Sequence, residues 1–160
     1  MKSNSFKIFI SGYDINYDNY NEIVSLLNLA FKNKIKTHDI EVLIYDENSG
    51  IAKSVRRYVN ENKNIRLKEI NSNKSLYDIY RDVNACLLFV SYWTESFKSL
   101  CLKCVKDDKP IIVYCCDINN GRILKRYTND NIEDFIINQN LYDEVCSIMR
   151  REESWWKYDR

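Results

Sequence analysis

Five apolar runs suited to strands alternate without exception with four stretches whose apolar residues recur at helical spacing, and few folds accommodate that order. The strand runs are Phe6 to Ser11, Ile40 to Tyr45, Ile65 to Ile70, Ala85 to Val90, and Ile111 to Tyr114 after Pro110. Between them lie a helix marked by Tyr20, Ile23, Val24, Leu27, Ala30 and Phe31, a second marked by Ile51, Val55, Tyr58 and Val59, and a short one from Ser75 to Asp82. A fourth places Phe97, Leu100, Cys101, Cys104 and Val105 on one face. Ile65 to Ile70 alternates apolar and polar side chains, as an edge strand does, whereas Ala85 to Val90 is apolar on both faces, the mark of a central strand covered on both sides. Parallel neighbours can be joined only by a segment that crosses one face of the sheet. The order therefore predicts an α/β fold, a doubly wound parallel sheet of about five strands.

The 160-residue length fits one domain, divided into a core over 1–118 and a helical extension over 119–160. In the extension Leu141, Val145, Ile148 and Met149 form an apolar stripe, with Trp155 and Trp156 beyond, suited to packing on the parent domain or on a second copy in a homo-oligomer. With 24 Lys and Arg against 23 Asp and Glu, nothing draws the chain broadly to nucleic acid. The longest apolar run is far below the roughly 20 residues of a membrane span, and Met1 to Ser5 lacks an apolar signal core, so the expected location is cytoplasmic, away from membranes. There thiols stay reduced, and the six cysteines read as small core residues. Cys101 and Cys104 have zinc or redox spacing, but they fall on an apolar helix face, His38 is remote in a polar connection, and no second such pair occurs, so neither metal nor cofactor is expected.

Doubly wound sheets bind ligands outside the carboxyl ends of their strands. The candidate loops are thus Ser11 to Tyr17, Asp46 to Gly50 and Ser91 to Lys98. In the first, Ser11, Gly12, Tyr13 and Asp14 follow a strand directly, while Asp14, Asn16 and Asp18 equally suit the cap of the first helix. In the second, Asn48, Ser49 and Gly50 open a helix whose free N–H groups attract an anion, or Asn48 or Ser49 caps it. In the third, Tyr92 and Trp93 suit stacking on a base, interior packing or a subunit contact; Thr94, Glu95, Ser96 and Lys98 follow, the last two suited to holding phosphate or to solvated surface. Arg56 with Arg57, and Arg122 with Lys125 and Arg126, form basic clusters of the kind that usually face solvent, although Gly121 to Arg126 has the length to reach a neighbouring copy.

The turn Ile10-Ser11-Gly12-Tyr13-Asp14, the segment Asp46-Glu47-Asn48-Ser49-Gly50-Ile51-Ala52 and the segment Tyr92-Trp93-Thr94-Glu95-Ser96-Phe97-Lys98 together resemble the three ligand loops of the SLOG superfamily, small Rossmann-like domains that bind nucleotides and nucleotide-derived signals. The resemblance spans about residues 6 to 116. Where that family has a glycine-rich stretch with an arginine and an acid, this chain has Asp46, Glu47, Ser49 and Ala52, and carboxylates there repel a pyrophosphate. The opening Phe-Ile-Ser and Val90 to Ser96 also look like a TIR domain, although Tyr45 to Ala85 holds a helix, a strand and another helix where a TIR domain has one helix. Nucleoside deoxyribosyltransferases share the SLOG-like order. Enzyme members of all three use an acid on or at the start of the helix before the last core strand. From Ser96 through Ile132 there is no Glu, and the corresponding position falls near Leu100 or Leu102, which can be neither nucleophile nor base.

The resemblance therefore implies a binder of a nucleotide-derived molecule, such as an ADP-ribose-like or cyclic-nucleotide signal, that senses or sequesters it without turnover, as a viral or mobile-element inhibitor of host immune signalling would. Two alternatives stand beside it: a degenerate N-glycosidase or deoxyribosyltransferase using Glu95, and a protein-interaction module with a vestigial pocket.

Overall fold

The structure, a computed structural model, describes residues 4–12, 15–17, 19–31, 34, 38–71 and 73–138. Along the chain run β1 (Asn4–Ser11), α1 (Tyr20–Phe31), β2 (His38–Tyr45), α2 (Gly50–Glu61), β3 (Ile65–Ile70), α3 (Leu76–Asp82), β4 (Ala85–Val90), α4 (Glu95–Lys106), β5 (Ile111–Cys116) and β6 (Ile123–Thr128). A fifth helical segment occupies 132–138. The strands form one sheet in the order β3-β2-β1-β4-β5-β6, with β1 to β5 parallel, as the alternation predicts.

The helices begin where short polar side chains replace the missing intrahelical acceptors. Ser49, Ser75 and Thr94 accept the N–H groups of Ala52, Asp78 and Phe97, and so open α2, α3 and α4. The cap of α1 is Asn19, whose side chain accepts the N–H of Glu22 at 3.2 Å; of the caps expected from sequence, Asn16 lies elsewhere and Asp14 and Asp18 fall outside the described residues.

Strand order explains the layers. The chain winds from β1 outward to β3, then returns past β1 to β4 and continues to β5, so crossovers of constant hand put α1 and α2 on one face and α3 and α4 on the other. Side chains of β4 divide accordingly: Ala85, Leu87 and Phe89 join Ile23, Leu27 and Val55 in one core layer, while Cys86, Leu88 and Val90 join Ile79, Leu100 and Cys104 in the other. All six residues of β4 are buried, which is why this strand lacks polar alternation. β3 lies at the edge, and its exposed Arg66, Lys68 and Glu69 give the alternation read from the sequence.

Two expectations change. The segment assigned to a helical extension opens instead with β6, antiparallel to β5, from Ile112 opposite Thr128 to Cys116 opposite Ile123. Lys125 and Arg126 therefore belong to an edge strand of this chain's own sheet, and their exposed charges blunt that edge. An edge strand with few buried residues has a weak pattern, and the paired cations mask what remains of it. The apolar stripe and tryptophans of the C-terminal tail lie outside the described residues. Second, His38 opens β2, with its ring edge-on to Phe6 at 6.0 Å, rather than lying in the preceding connection.

Cys86, Cys101, Cys104, Cys115 and Cys116 are unbridged thiols in or beside the core, while Cys146 is outside the described residues. No group of metal-holding side chains occurs among the described residues, and no helix among them is long and apolar enough to cross a membrane. Burial pushes the thiols of Cys101 and Cys116 up to about 12 and that of Cys115 up to about 11, from an ordinary 9.0. Above about pH 9 the unfolded chain releases these protons while the folded chain keeps them, so the folded state binds more protons and loses stability as pH rises. Urea titrations are expected to give a lower midpoint at about pH 10 than at about pH 8, and the native thiols of Cys101, Cys115 and Cys116 are expected to react with an aromatic disulfide at about pH 8 far more slowly than the same thiols in the unfolded chain.

Candidate functional site at the carboxyl rim

The winding direction reverses between β1 and β4, so the loops that leave these two strands part and open a crevice at the carboxyl rim. The loop after β1 first turns inward. The N–H of Ile15 donates to the carbonyl of Gly12 at 2.9 Å, and the Ile15 side chain is only 1% exposed, a plug over the end of the sheet. Ser11, the last residue of β1, is also buried, and its hydroxyl has no hydrogen-bond partner among the described residues.

All three glycines of the chain serve this loop. A Cβ on Gly12 would stand 2.5 Å from Cβ of Ile51 in α2, and one on Gly50 would stand 2.8 Å from the carbonyl oxygen of Tyr17. At Gly121, where φ is +71°, a Cβ would meet the Tyr17 backbone nitrogen at 2.9 Å. The glycines here allow the backbone to approach other parts of the same chain, a demand that leaves no other residue type room.

That closeness decides what the α2 N-terminus can do. The N–H of Gly50 donates to the Ile15 carbonyl at 3.1 Å, and the N–H of Ala52 donates to Ser49 Oγ at 3.1 Å. The Ser49 hydroxyl donates in turn to Glu47 Oε1 at 3.0 Å, and Arg56 Nη2 donates to the Glu47 carbonyl at 2.6 Å. Two of the donors that a helix start offers to an anion, the N–H groups of Gly50 and Ala52, thus serve the chain itself, and Asn48 stands exposed beside them. The basic cluster is similarly engaged: Arg56 pairs with Glu69, and Arg57 pairs with Glu61 and lies 3.8 Å over the Tyr20 ring.

The crevice has a volume of about 260 Å³ and is lined by Ile15, Asn16, Ser91, Asp117, Ile118, Asn119, Asn120 and Gly121. Its floor is the β5–β6 turn, which its own hydrogen bonds hold. Asp117 Oδ1 accepts the Asn119 N–H at 2.7 Å, the Asp117 carbonyl accepts the Gly121 N–H at 2.7 Å, and Asn120 Oδ1 accepts the Arg122 N–H at 2.9 Å. Chemically, the described lining residues offer amides, a hydroxyl and one carboxylate, a set that recognises hydroxyl and amine groups by hydrogen bonds.

The third candidate loop divides. Ser91 lines the crevice, and Tyr92 beside it is 56% exposed. Trp93 instead packs on Phe135, with ring centroids 5.4 Å apart, which is the interior-packing alternative. Thr94 is the α4 cap. Glu95 and Ser96 line a different hollow of about 440 Å³ between α3 and α4, with Ser75, Tyr77, Tyr80, Ser99 and Lys103. The Lys98 side chain is only 9% exposed, and its Nζ lies 3.5 Å from the Glu95 carboxylate, not out on a solvated face.

Ser11, Gly12, Ser49 and Gly50 are therefore brought together, but as the packed wall behind the crevice. Tyr13 and Asp14 lie outside the described residues, and Glu95, Ser96 and Lys98 belong to α4. Asp117, Asn119, Asn120 and Gly121 enter as lining that the sequence reading missed. The signal was present: Asn120-Gly121 between two apolar runs is a strong short-range hairpin mark.

The sequence matches no protein-family model and no curated protein. Among solved structures the fold is similar to E. coli MccB, crystallised with selenomethionine MccA, at 15% identity and a TM-score of 0.41 over 69% of this chain. The match spans 37% of the MccB chain.

Alanine in the first turn of a helix ordinarily stabilises relative to glycine by up to about 1 kcal/mol. At Gly50 the sign is expected to reverse, because the added Cβ meets rigid backbone. Gly121→Ala is expected to cost about 1–3 kcal/mol through its left-handed conformation. Urea midpoints, with unchanged denaturant slope, check both.

Proposed function

We propose that the chain binds a small nucleotide-derived molecule in the rim crevice and does not turn it over. The observation that carries this reading is the crevice itself: at the reversal point of a doubly wound sheet, polar side chains from the loops after β1, β4 and β5 converge on one hollow. Its volume of about 260 Å³ lies just below the roughly 300–1,000 Å³ of sites that enclose a whole drug-sized ligand, so it holds one unit of a larger molecule.

The absence of turnover is supported by where the acids stand. Glu95, the sole acid of α4, lines the α3–α4 hollow rather than the crevice, and mid-helix Leu100 is buried in the core. Among the described residues Asp117 is the one carboxylate in the crevice lining, and an oxygen of it is engaged by the Asn119 N–H. Sequestration of a signal by a protein that binds without cutting is the corresponding biological role.

A panel of nucleosides, nucleotides and ADP-ribose tests the reading by thermal denaturation. A ligand at 100 times its dissociation constant adds about 2.7 kcal/mol, equivalent to a rise of roughly 5–10 °C in a domain of this size. Ser91→Ala and Asp117→Ala are expected to abolish the rise, whereas Glu95→Gln is expected to leave it intact. Failure of every probe to shift the transition would favour a protein-interaction module, and cleavage of a probe that Glu95→Gln or Asp117→Asn removes would establish an enzyme.

A further inference from the structure

We infer that the crevice grips the vicinal hydroxyls of a ribose, with Asp117 as principal acceptor, and takes no phosphate, an inference that rests on the crevice reading above. Three observations converge on it. The lining supplies Asn16, Ser91, Asp117, Asn119 and Asn120, and no Lys, Arg or His is among the described residues that form it. A phosphate there would face a carboxylate with no countercharge, while a diol can donate to the free oxygen of that carboxylate and accept from the amides.

The second observation concerns the place a phosphate would otherwise occupy. In doubly wound nucleotide-binding folds the anion rests on backbone N–H groups at a helix start. Here Gly50 N–H is given to Ile15, Ala52 N–H to Ser49, and the Tyr17 carbonyl lies 2.8 Å from where a Gly50 Cβ would be, so the chain fills that space with its own backbone. Arg122, the cation nearest the turn in sequence, is exposed and is not among the residues that line the crevice.

The third is the shape of the acceptor. Asp117 is held by the turn: its Oδ1 receives the Asn119 N–H and its backbone is bonded to Gly121 and Arg122, while its second carboxylate oxygen takes no hydrogen bond among the described residues and can serve a ligand. Ile118, largely exposed at the same wall, gives an apolar surface for the base carried by that ribose.

Backbone amide chemical shifts of Ser91, Asn119, Asn120 and Gly121, followed during titration of the full chain, distinguish the outcomes. Adenosine is expected to shift them saturably, 2′,3′-dideoxyadenosine to bind at least roughly tenfold more weakly, adenosine 5′-monophosphate to bind no tighter than adenosine, and inorganic phosphate to cause no shift. Asp117→Asn retains an oxygen acceptor for the Asn119 N–H, so the turn persists, and it is expected to erase most of the difference between adenosine and its dideoxy analogue. Equal binding of the dideoxy analogue, or binding of the monophosphate or of phosphate more than roughly tenfold tighter than adenosine, overturns the ribose inference while leaving the crevice reading in place. If no probe moves these amides, both fall.

Discussion

Close backbone approach at Gly12, Gly50 and Gly121 governs the carboxyl rim of this protein. Each of the three faces a part of the chain too near to admit a methyl group, and two of them face the same residue, Tyr17. The loop after β1 is thereby clamped between the start of α2 and the β5–β6 turn. From that clamp follow the burial of Ile15, the engagement of the Gly50 N–H, and the position of the crevice on the β5 side of β1 instead of over α2.

The clamp also divides the chemistry of the rim. On the α2 side a run of internal contacts engages several polar groups: Ser49 caps the helix and donates to Glu47, whose carbonyl holds Arg56, itself paired with Glu69. Such a chain of mutual hydrogen bonds stabilises one conformation and leaves little to offer a ligand. On the β5 side Asp117 Oδ1 and Asn120 Oδ1 hold the turn by accepting the N–H groups of Asn119 and Arg122, and the rest of the Asp117, Asn119 and Asn120 side chains stands at the crevice lining. Polar groups that are preorganised yet unspent are what a binding site needs.

α4 illustrates how one helix serves the structure when its sequence suggests a site. Thr94, Glu95, Ser96 and Lys98 follow a buried strand in the place where a ligand loop is expected, but Thr94 is a cap and Lys98 lies along the helix against Glu95. Trp93 joins Phe135 and anchors the 132–138 segment to the α4 face of the sheet, so its aromatic surface contributes to the core. The acid of this helix faces α3, across the hollow that Tyr77 and Tyr80 line.

Local pattern was enough for the architecture. Ala85 to Val90, apolar on both faces, had to be central, Ile65 to Ile70 had to be near an edge, and strict alternation required parallel strands with helices on both sides, because each of these follows from burial along a single segment. β6 escaped because an edge strand buries few residues and its one clear sign, Asn120-Gly121, lay in a turn rather than in a periodicity. The crevice was legible as a rim and, through Asn16 and Ser91, as the loops after β1 and β4, but the loop after β2 does not line it and the β5–β6 turn that does went unread. Whether the α2 N–H groups are free depends on Ile15 and Tyr17, which are more than thirty residues away along the chain, and the lining depends on a turn that joins it from beyond β5. Which donors remain unspent is a property of contacts between distant segments, and such contacts exist only once the sheet has assembled.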